Sequence, residues 1–573
     1  MCGIVGLLSK ARPELDVKIG EALNELNHRG PDNGGFEVYS TPGMVGVLFL
    51  GHARLSVIDL TVAGHQPMHS IDGRFTIIFN GEIYNYRELR AELIREGCAF
   101  KTDSDTEVLL SAWSRWGKAC LPRLTGMFAF GVYDRRDQTL TCVRDAFGIK
   151  PFFYSVDSET FAFASELSAL LKLLPVKPPV NWQRSYDYLV HGVYDNGSDT
   201  FFDEVCQLSP GHWLEINIAT GELIRLERWW RPVIAECNEL NFDDAAEIVK
   251  EKFLNSIRMH LRSDVPLGAA LSGGLDSSAV VCAMRHVAPD YPIHTFSYIA
   301  AGSNVNEEKW VDLVNQHVGA NAHKVLVTPR ELVRDLDDMI RTQGEPFGSM
   351  SIYAQYRVYQ LAKENGITVT LDGQGADEML GGYIGFPGER VRSLLDEGHP
   401  RQAWDFLRYW AQWPGRSMAT GIKAALAEWT CGAPHELLRM AAGLNKVPDW
   451  IDSRIAHEMG LAGRVKRFHS GEYANGRRMA AQMVNMLTQH GLPGLLRHGD
   501  RNSMRFSVES RVPFLTLDQV EFALSLPEHY LVSKAGETKH VFRRAMQGIV
   551  PDEILLRKDK IGFEPPEKEW LIS

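Results

Sequence analysis

The apolar pattern of this chain changes once, near residue 240, and that change restricts the fold more than any other feature. Up to about residue 230, short β-prone runs are broken by Gly, Asn and Asp, as at 44–50, 75–79, 128–133 and 160–164. Runs of this length and spacing predict a packed antiparallel β structure with a few helices. Pro-Gly turns and Trp229-Trp230-Arg231-Pro232 mark a linker. From about 241, helices alternate with short buried strands. The strands are expected at 265–271, 293–298, 323–327 and 367–371, and helices at 277–287 and 306–318. That alternation implies βαβ units and a parallel sheet. Residues 385–500 read as almost wholly helical. Length alone, 573 residues, sets a loose expectation of about four average domains. Two larger domains are equally allowed, and the change of pattern places them at 2–228 and 240–573, in a mixed α+β and α/β chain.

Cysteine occupies position 2, in Met1-Cys2-Gly3-Ile4-Val5-Gly6. If Met1 is removed, Cys2 carries its thiol and a free α-amine on one residue. A thiol attacks as thiolate and needs a nearby base. The α-amine, with a reference pKa of about 7.7–8.0, can act as that base near neutrality. On its own, Cys2 is equally readable as a small residue that follows the start Met.

Bulk properties exclude several classes. A 45% hydrophobic and 23% charged chain forms ordinary globular cores. The net charge of −11, with no long Lys/Arg run, argues against a nucleic-acid partner. The eight cysteines lie far apart without a CxxC pair. With no secretory leader and no apolar run near 18 residues, a reducing, cytoplasmic location and no membrane association are expected. Cys98, Cys120, Cys142, Cys206, Cys237, Cys282 and Cys431 read as buried hydrophobes. His457-Glu458 and His435-Glu436 do not complete HExxH, so no zinc site is expected.

Several polar clusters in the first half suit a Cys2 nucleophile. Residues 51–56, GHARLS, offer Arg54, whose planar fork suits a substrate carboxylate. Residues 79–85, FNGEIYN, follow a strand. There Asn80 has an amide donor and Gly81 admits close backbone approach, so the pair could supply two donors to an oxyanion. Asp105, in Ser104-Asp105-Thr106-Glu107, could hold a substrate ammonium. The alternatives are a hairpin turn at Asn80-Gly81 and a helix cap at Asp105.

The strings MCGIVG, NHRGPDN (27–33), GHARLSVIDL (51–60), FNGEIYNY (79–86) and SDTE resemble the class II glutamine amidotransferase domain. That resemblance implies an N-terminal-nucleophile αββα sandwich in which Cys2 attacks the glutamine side-chain amide and releases ammonia. It implies an oxyanion hole at Asn80 and Gly81. Glutamine would be bound by Arg54, Leu55, Ser56, Glu82 and Asp105, with Arg54 on the α-carboxylate and Asp105 with Glu82 on the α-amine. The α-amine of Cys2 would be the general base.

In the second half, residues 271–278, LSGGLDSS, follow a strand and open a helix. Gly273 and Gly274 permit a tight turn with backbone donors inward, and Ser277 and Ser278 sit where a helix start favours an anion. Asp276 is an oxygen donor suited to Mg²⁺. No GxxxxGK[ST] is present, so this is not a Walker loop. It resembles the pyrophosphate-binding loop of enzymes that split ATP between its α and β phosphates. Residues 371–378, LDGQGADE, end another strand, and Asp377 is a second candidate metal carboxylate. Glu378 could order Lys539 or a water, or lie at the surface. Lys539 could meet charge developing on a phosphate.

With RHGDRNSMRFSVESRVPFL (497–515) and RKDKIGF (557–563), the whole chain is similar to the glutamine-hydrolysing asparagine synthetases. The resemblance implies ATP and Mg²⁺ as cofactors, and a doubly wound ATP-pyrophosphatase domain with a helical C-terminal part. A carboxylate is adenylated there, and ammonia then attacks the acyl-adenylate to give an amide and AMP. Leu271, Ser272, Phe296, Ser297, Tyr298, Asp372 and Gly373 would lie around ATP, and Lys539 would act in adenylation. Neutral ammonia would pass between the sites by a closed path. A homodimer is compatible with the family.

One departure concerns the acceptor. Many asparagine-forming relatives have Ser-Gly-Glu-Gly where this chain has Asp372-Gly373-Gln374-Gly375. Gln374, at the acyl-adenylate site, keeps the shape and loses the charge. Aspartate is the leading acceptor. A sugar acid, an antibiotic or a peptide precursor is the alternative, and a tolerated variant in an asparagine former is the other explanation of Gln374. Intact Cys2, Arg54, Asn80 and Asp105 argue against relatives that close rings with an internal amine. Near-complete motifs in both halves argue against a non-catalytic scaffold, and the ATP-splitting loop argues against a phosphoribosyl amidotransferase.

Overall fold

The computed structural model describes residues 2–9, 15–40, 46–195, 197–236, 239–300, 306–428, 448–461 and 476–559. The first half is built on two six-stranded antiparallel sheets. Strands β1 (Gly3–Ser9), β2 (Asn33–Tyr39), β3 (Val47–Arg54), β8 (Phe153–Val156), β9 (Thr160–Ala164) and β10 (Cys206–Gln207) form one, in the order β10-β8-β9-β1-β3-β2. The other comprises β4 (Met68–His69), β5 (Phe75–Ile83), β6 (Gly126–Asp134), β7 (Thr139–Arg144), β11 (His212–Asn217) and β12 (Leu223–Arg228), ordered β12-β11-β7-β6-β5-β4.

Ile4, Leu48, Ile78, Phe163 and Leu214 pack between the two sheets. Val5, Ala22, Phe49 and Leu170 join the first sheet to helices Leu15–Glu25 and Leu167–Leu173. On the far side, Phe79, Leu89, Leu109 and Phe130 join the second sheet to helices Tyr86–Arg95 and Asp105–Trp116. The result is the four-layer αββα arrangement. Strands covered on both faces are apolar throughout, so all seven residues of β1 are buried.

The expected runs at 75–79 and 160–164 fall in β5 and β9. The run at 44–50 starts instead at Val47 and continues to Arg54, with 44 and 45 outside the described residues. Asn80 and Gly81 lie inside β5, opposite Ala129 and Phe128 of β6, so they form no hairpin turn.

The second half holds a five-stranded parallel sheet of β13 (Leu267–Ala270), β14 (His294–Ile299), β15 (Asn321–Leu326), β16 (Val369–Leu371) and β17 (Glu509–Arg511), ordered β15-β14-β13-β16-β17. Helices Phe242–His260, Leu275–Val287 and Glu308–Val318 share one core with this sheet, and Ser351–Glu364 packs on Phe296 and Ile367. The expected strands and helices appear with ends moved by a few residues. β17 was not foreseen. The chain reverses its order of laying down strands between β13 and β16, and ligands bind at such a switch point, beyond the carboxyl ends of the strands.

Within 385–500 the described residues contain helices Pro387–Asp396, Pro400–Trp410, Met418–Ala427, Ser453–Glu458, Arg478–Thr488 and Leu492–Arg505. The remainder, 429–447 and 462–475, lies outside them. So do His435-Glu436, Cys237, Cys431 and the last four residues of the 557–563 string. Cys120, Cys142 and Cys282 are buried as expected. Cys98 and Cys206 are only partly buried, which corrects the reading of both as core residues. Among the described residues, no helix is long and apolar enough to cross a membrane.

The two halves share a core. Leu55, Tyr84, Phe147 and Trp230 pack in the same cluster as Ile257, Leu371 and Phe514. Charged groups are buried there too. Arg29 and Lys150 of the first half both reach Asp500 of the second.

Two candidate active sites

Cys2 precedes β1 directly and is 7% exposed. Its backbone N–H donates to Asn80 Oδ1 at 3.1 Å, while Asn80 Nδ2 donates to Ser165 Oγ at 3.4 Å. The carbonyl of Cys2 accepts from Arg29 Nε at 3.1 Å. The backbone of the nucleophile is thus held from two sides. Burial pushes its thiol pKa up, so thiolate is scarce without a base close by.

A cavity of about 30 Å³ over Cys2 is lined by Arg54, Leu55, Gly81, Glu82, Asp105 and Glu509, among others. A Cβ at Gly81 would meet the Met127 carbonyl oxygen at 2.1 Å, so only glycine keeps β5 against β6 here. Arg54 donates to the carbonyls of Thr61 at 2.7 Å and Asp59 at 2.5 Å, which fixes its guanidinium at the cavity wall. A second cavity of about 440 Å³ shares Arg54 and Leu55 with the first and adds Ser56, Asp32, Lys363 and Thr368.

Asp105 is the first residue of its helix; the cap is Ser104, whose side chain accepts from Thr106 N–H. This corrects the alternative of Asp105 as the cap. Asp105 Oδ2 accepts instead from the Ile83 N–H at 2.9 Å, and burial lifts its pKa to about 6. Burial, reinforced by Asp105, raises the Glu82 carboxyl well above the usual range. Glu82 Oε1 is buried with no hydrogen-bond partner. An incoming ammonium would satisfy both groups.

The second site opens at the switch point. Gly273 adopts φ +81°, and a Cβ there would lie 2.9 Å from Trp310 Cβ. The turn it permits brings Ser272 Oγ to 3.0 Å from Ser277 Oγ. Gly274 caps the helix Leu275–Val287. Buried Ser278 Oγ and Ser297 Oγ have no partner, leaving two hydroxyls to meet a ligand. Leu271 N–H donates to the Phe296 carbonyl, so the loop after β13 abuts β14, which carries Ser297 and Tyr298. A Cβ on Gly373 would come within 3.0 Å of Ser277 N, so the loop after β16, with Asp372 and half-buried Gln374, touches the loop after β13. Arg557 donates to the Gly273 carbonyl at 2.7 Å.

Lys539 joins these loops. Its Nζ lies 2.5 Å from Asp276 Oδ2 and 2.8 Å from Asp377 Oδ1. Burial works against its charge, but the two carboxylates outweigh it and hold the ammonium above its ordinary range. Lys539 has φ +55°, a strained backbone of the kind that concentrates at functional sites. Glu378, close enough to Lys539 for their charges to interact, is 1% exposed and accepts from Tyr383 OH at 2.5 Å, which excludes a surface role.

Every residue singled out in the first half therefore gathers at the Cys2 cavities, and those of the second half converge on the loops after β13 and β16. Three groups went unassigned. Arg29 lies in the string NHRGPDN, and Glu509 and Arg511 in the string ending VPFL. Arg511 Nε donates to Glu509 at 2.6 Å, its Nη1 donates to the carbonyls of His260 and Arg262, and its Nη2 is 3.7 Å from Glu82.

Comparison with known proteins matches residues 1–230 to the glutamine amidotransferase domain and 248–573 to asparagine synthase. Asparagine synthetase (glutamine-hydrolyzing) 1 of Bacillus subtilis is 31% identical over 606 residues, covering 100% of this chain and 88% of that protein. Asparagine synthetase (glutamine-hydrolyzing) 3 of the same organism is 30% identical over 575 residues, covering 97% and 86%. Amidase chry2 of Gibberella zeae is 27% identical over 636 residues, covering 100% and 90%. The chain belongs to the glutamine-hydrolysing asparagine synthetase family, ligases that use ATP and glutamine to form an amide.

Proposed function

We propose that this chain converts aspartate to asparagine, releasing glutamate, AMP and pyrophosphate, with the residues described above in catalytic roles. The observation that carries the reading is the placement of β17. Glu509 lines the Cys2 cavity. Two residues on, Arg511 pairs with Leu371 and its carbonyl accepts from Asp372 N–H at 2.8 Å. One short strand thus spans from one site to the other, about 7 Å at the usual rise per residue. A nascent ammonia molecule would follow this strand from the Cys2 cavity toward the loop after β16.

Cys2 Sγ transfers its proton to the Cys2 α-amine and attacks the glutamine amide carbon. Asn80 Nδ2 and the Gly81 N–H hold the oxyanion, as acyl transfer requires. Arg54 binds the α-carboxylate, and Asp105 with Glu82 the α-ammonium. The C–N bond breaks, ammonia leaves with the proton, and water releases glutamate from the thioester. In the second domain the acceptor carboxylate attacks the α-phosphorus of ATP and displaces pyrophosphate, which the loop 272–278 cradles. Lys539 meets the charge that develops on the phosphates. Ammonia then displaces AMP.

Asp276 and Asp377 converge on a single Lys539 nitrogen, so their oxygens are close enough together to share one Mg²⁺ with phosphate oxygens. Mg²⁺, when bound, would neutralise phosphate charge.

A second reading keeps the chemistry and changes the acceptor. It is favoured by Gln374 and by the full-length likeness to a protein named an amidase. ATP–pyrophosphate exchange across a panel of carboxylic acids separates the two. Exchange with aspartate alone supports asparagine formation, and exchange with another acid in place of aspartate refutes it.

A further inference from the structure

We propose that Glu509, carried by the last strand of the synthetase sheet, is a positioning residue for the α-amine of Cys2, so that the base of the glutaminase is set from the other domain. This rests on the reading of Cys2 as an amine-assisted nucleophile.

Among the described residues, every other one lining the Cys2 cavity lies between positions 2 and 106. Glu509 comes from the far end of the chain and is 1% exposed. It is rigidly built in. β17 pairs with β16 at Val369, and Arg511 clamps the carboxylate while anchored on the carbonyls of His260 and Arg262.

The groups facing it differ in charge. Burial leaves Glu82 and Asp105 raised, the latter to about 6. Burial also opposes the charge on Glu509, yet Arg511 and Lys150 keep its carboxyl below the ordinary range; the amino-terminal charge that lowers it further is that of Met1, whose place the Cys2 α-amine takes once Met1 is removed. Glu509 is therefore the carboxylate of this cavity that stays ionised at every working pH. Burial keeps His52 neutral, at about 3, and lifts the Tyr84 hydroxyl well above its usual range. Arg54 is turned to its own loop carbonyls, and Arg29 meets the Cys2 carbonyl.

A fixed anion beside an amine favours its protonated form. When the Cys2 thiol hands its proton to the α-amine, the ammonium so formed is stabilised by Glu509. The same proton then leaves with ammonia, and Glu509 is unchanged over the cycle.

The test uses the full-length enzyme with Met1 shown by intact mass to be removed; a mature protein that retains Met1 overturns the proposal. Two pH profiles are recorded: kcat/KM for glutamine, and the rate of Cys2 alkylation by iodoacetamide. Ammonia-dependent turnover of the same samples normalises for folded protein. Glu509→Gln is expected to move the acid limb of both profiles down by about one pH unit. A limb that stays in place while rates fall uniformly means a structural role and overturns the proposal. If Glu509→Gln does not fold, Glu509→Asp decides, since the shorter carboxylate draws back and shifts the limb the same way by a smaller step; an unmoved limb overturns the proposal. Alkylation needs no turnover. A wild-type enzyme that does not hydrolyse glutamine would therefore sink the functional reading and leave the Glu509 result standing.

Discussion

Asp105→Asn isolates the charge that the glutamine α-ammonium should require. The substitution is nearly isosteric, and the new amide oxygen can still accept from the Ile83 N–H that Asp105 Oδ2 now holds at 2.9 Å. The helix start keeps its Ser104 cap. What is lost is a buried anion facing a cation. Truncating one partner of such a pair costs about 2–5 kcal/mol, and the nearby carboxylate of Glu509 places this case toward the lower end, at about 2–3 kcal/mol. That corresponds to a fall of about 30- to 150-fold in kcat/KM for glutamine.

The pH profile gives a second signature. With a pKa of about 6, Asp105 is mostly ionised at pH 7 and mostly protonated at pH 5. Below about pH 6 the wild-type enzyme must lose one proton from the Cys2 amine and one from Asp105, so log kcat/KM falls with a slope near two. Asp105→Asn should show a slope near one throughout. Glutamate release is the assay, with ammonia-dependent synthesis as internal control. A variant within about threefold of wild type, with the slope of two intact, would refute the role assigned to Asp105.

Further outcomes are expected. Cys2→Ala should abolish glutamine-dependent turnover and leave ammonia-dependent turnover; loss of both would mean that Cys2 is structural. Asp276→Asn should remove pyrophosphate release while glutaminase activity survives, and ADP as product would contradict adenylation. Arg29→Met strips Asp500 of its bidentate partner but leaves Lys150 at 3.3 Å, so the loss should sit at the low end of the range for a broken buried pair, about 3 kcal/mol. Urea midpoints measure it, and an unchanged midpoint would show that the buried cluster adds nothing to stability.

The sequence shows the strands of both domains where β-branched and aromatic side chains mark them, as at β5 and β9, and it shows the phosphate-type loop through its glycines. It does not show β17. Glu-Ser-Arg carries no apolar signal, and its strand state comes from pairing with β16 rather than from propensity. The same holds for the buried charges. Arg29, Lys150 and Arg511 read as surface residues because charged side chains rarely go under unless paired. Arg29 is buried because Glu166 and Asp500, 137 and 471 positions away, meet it. Cys2, Asn80, Gly81 and Asp105 were legible because each stands in a string whose spacing is local. Glu509 was not, since its contribution depends on a contact between domains.

The pairing of Arg29 with Asp500 also sets an order of events on the ribosome. When the amino-terminal domain has emerged, Arg29 still lacks one of the two carboxylates that neutralise it, and the Cys2 carbonyl it holds is not yet fixed. At typical elongation rates of about 5–20 residues per second, Asp500 follows on the order of 15–50 s later. The nascent glutaminase therefore waits, incomplete, until the partner that will consume its ammonia has been made.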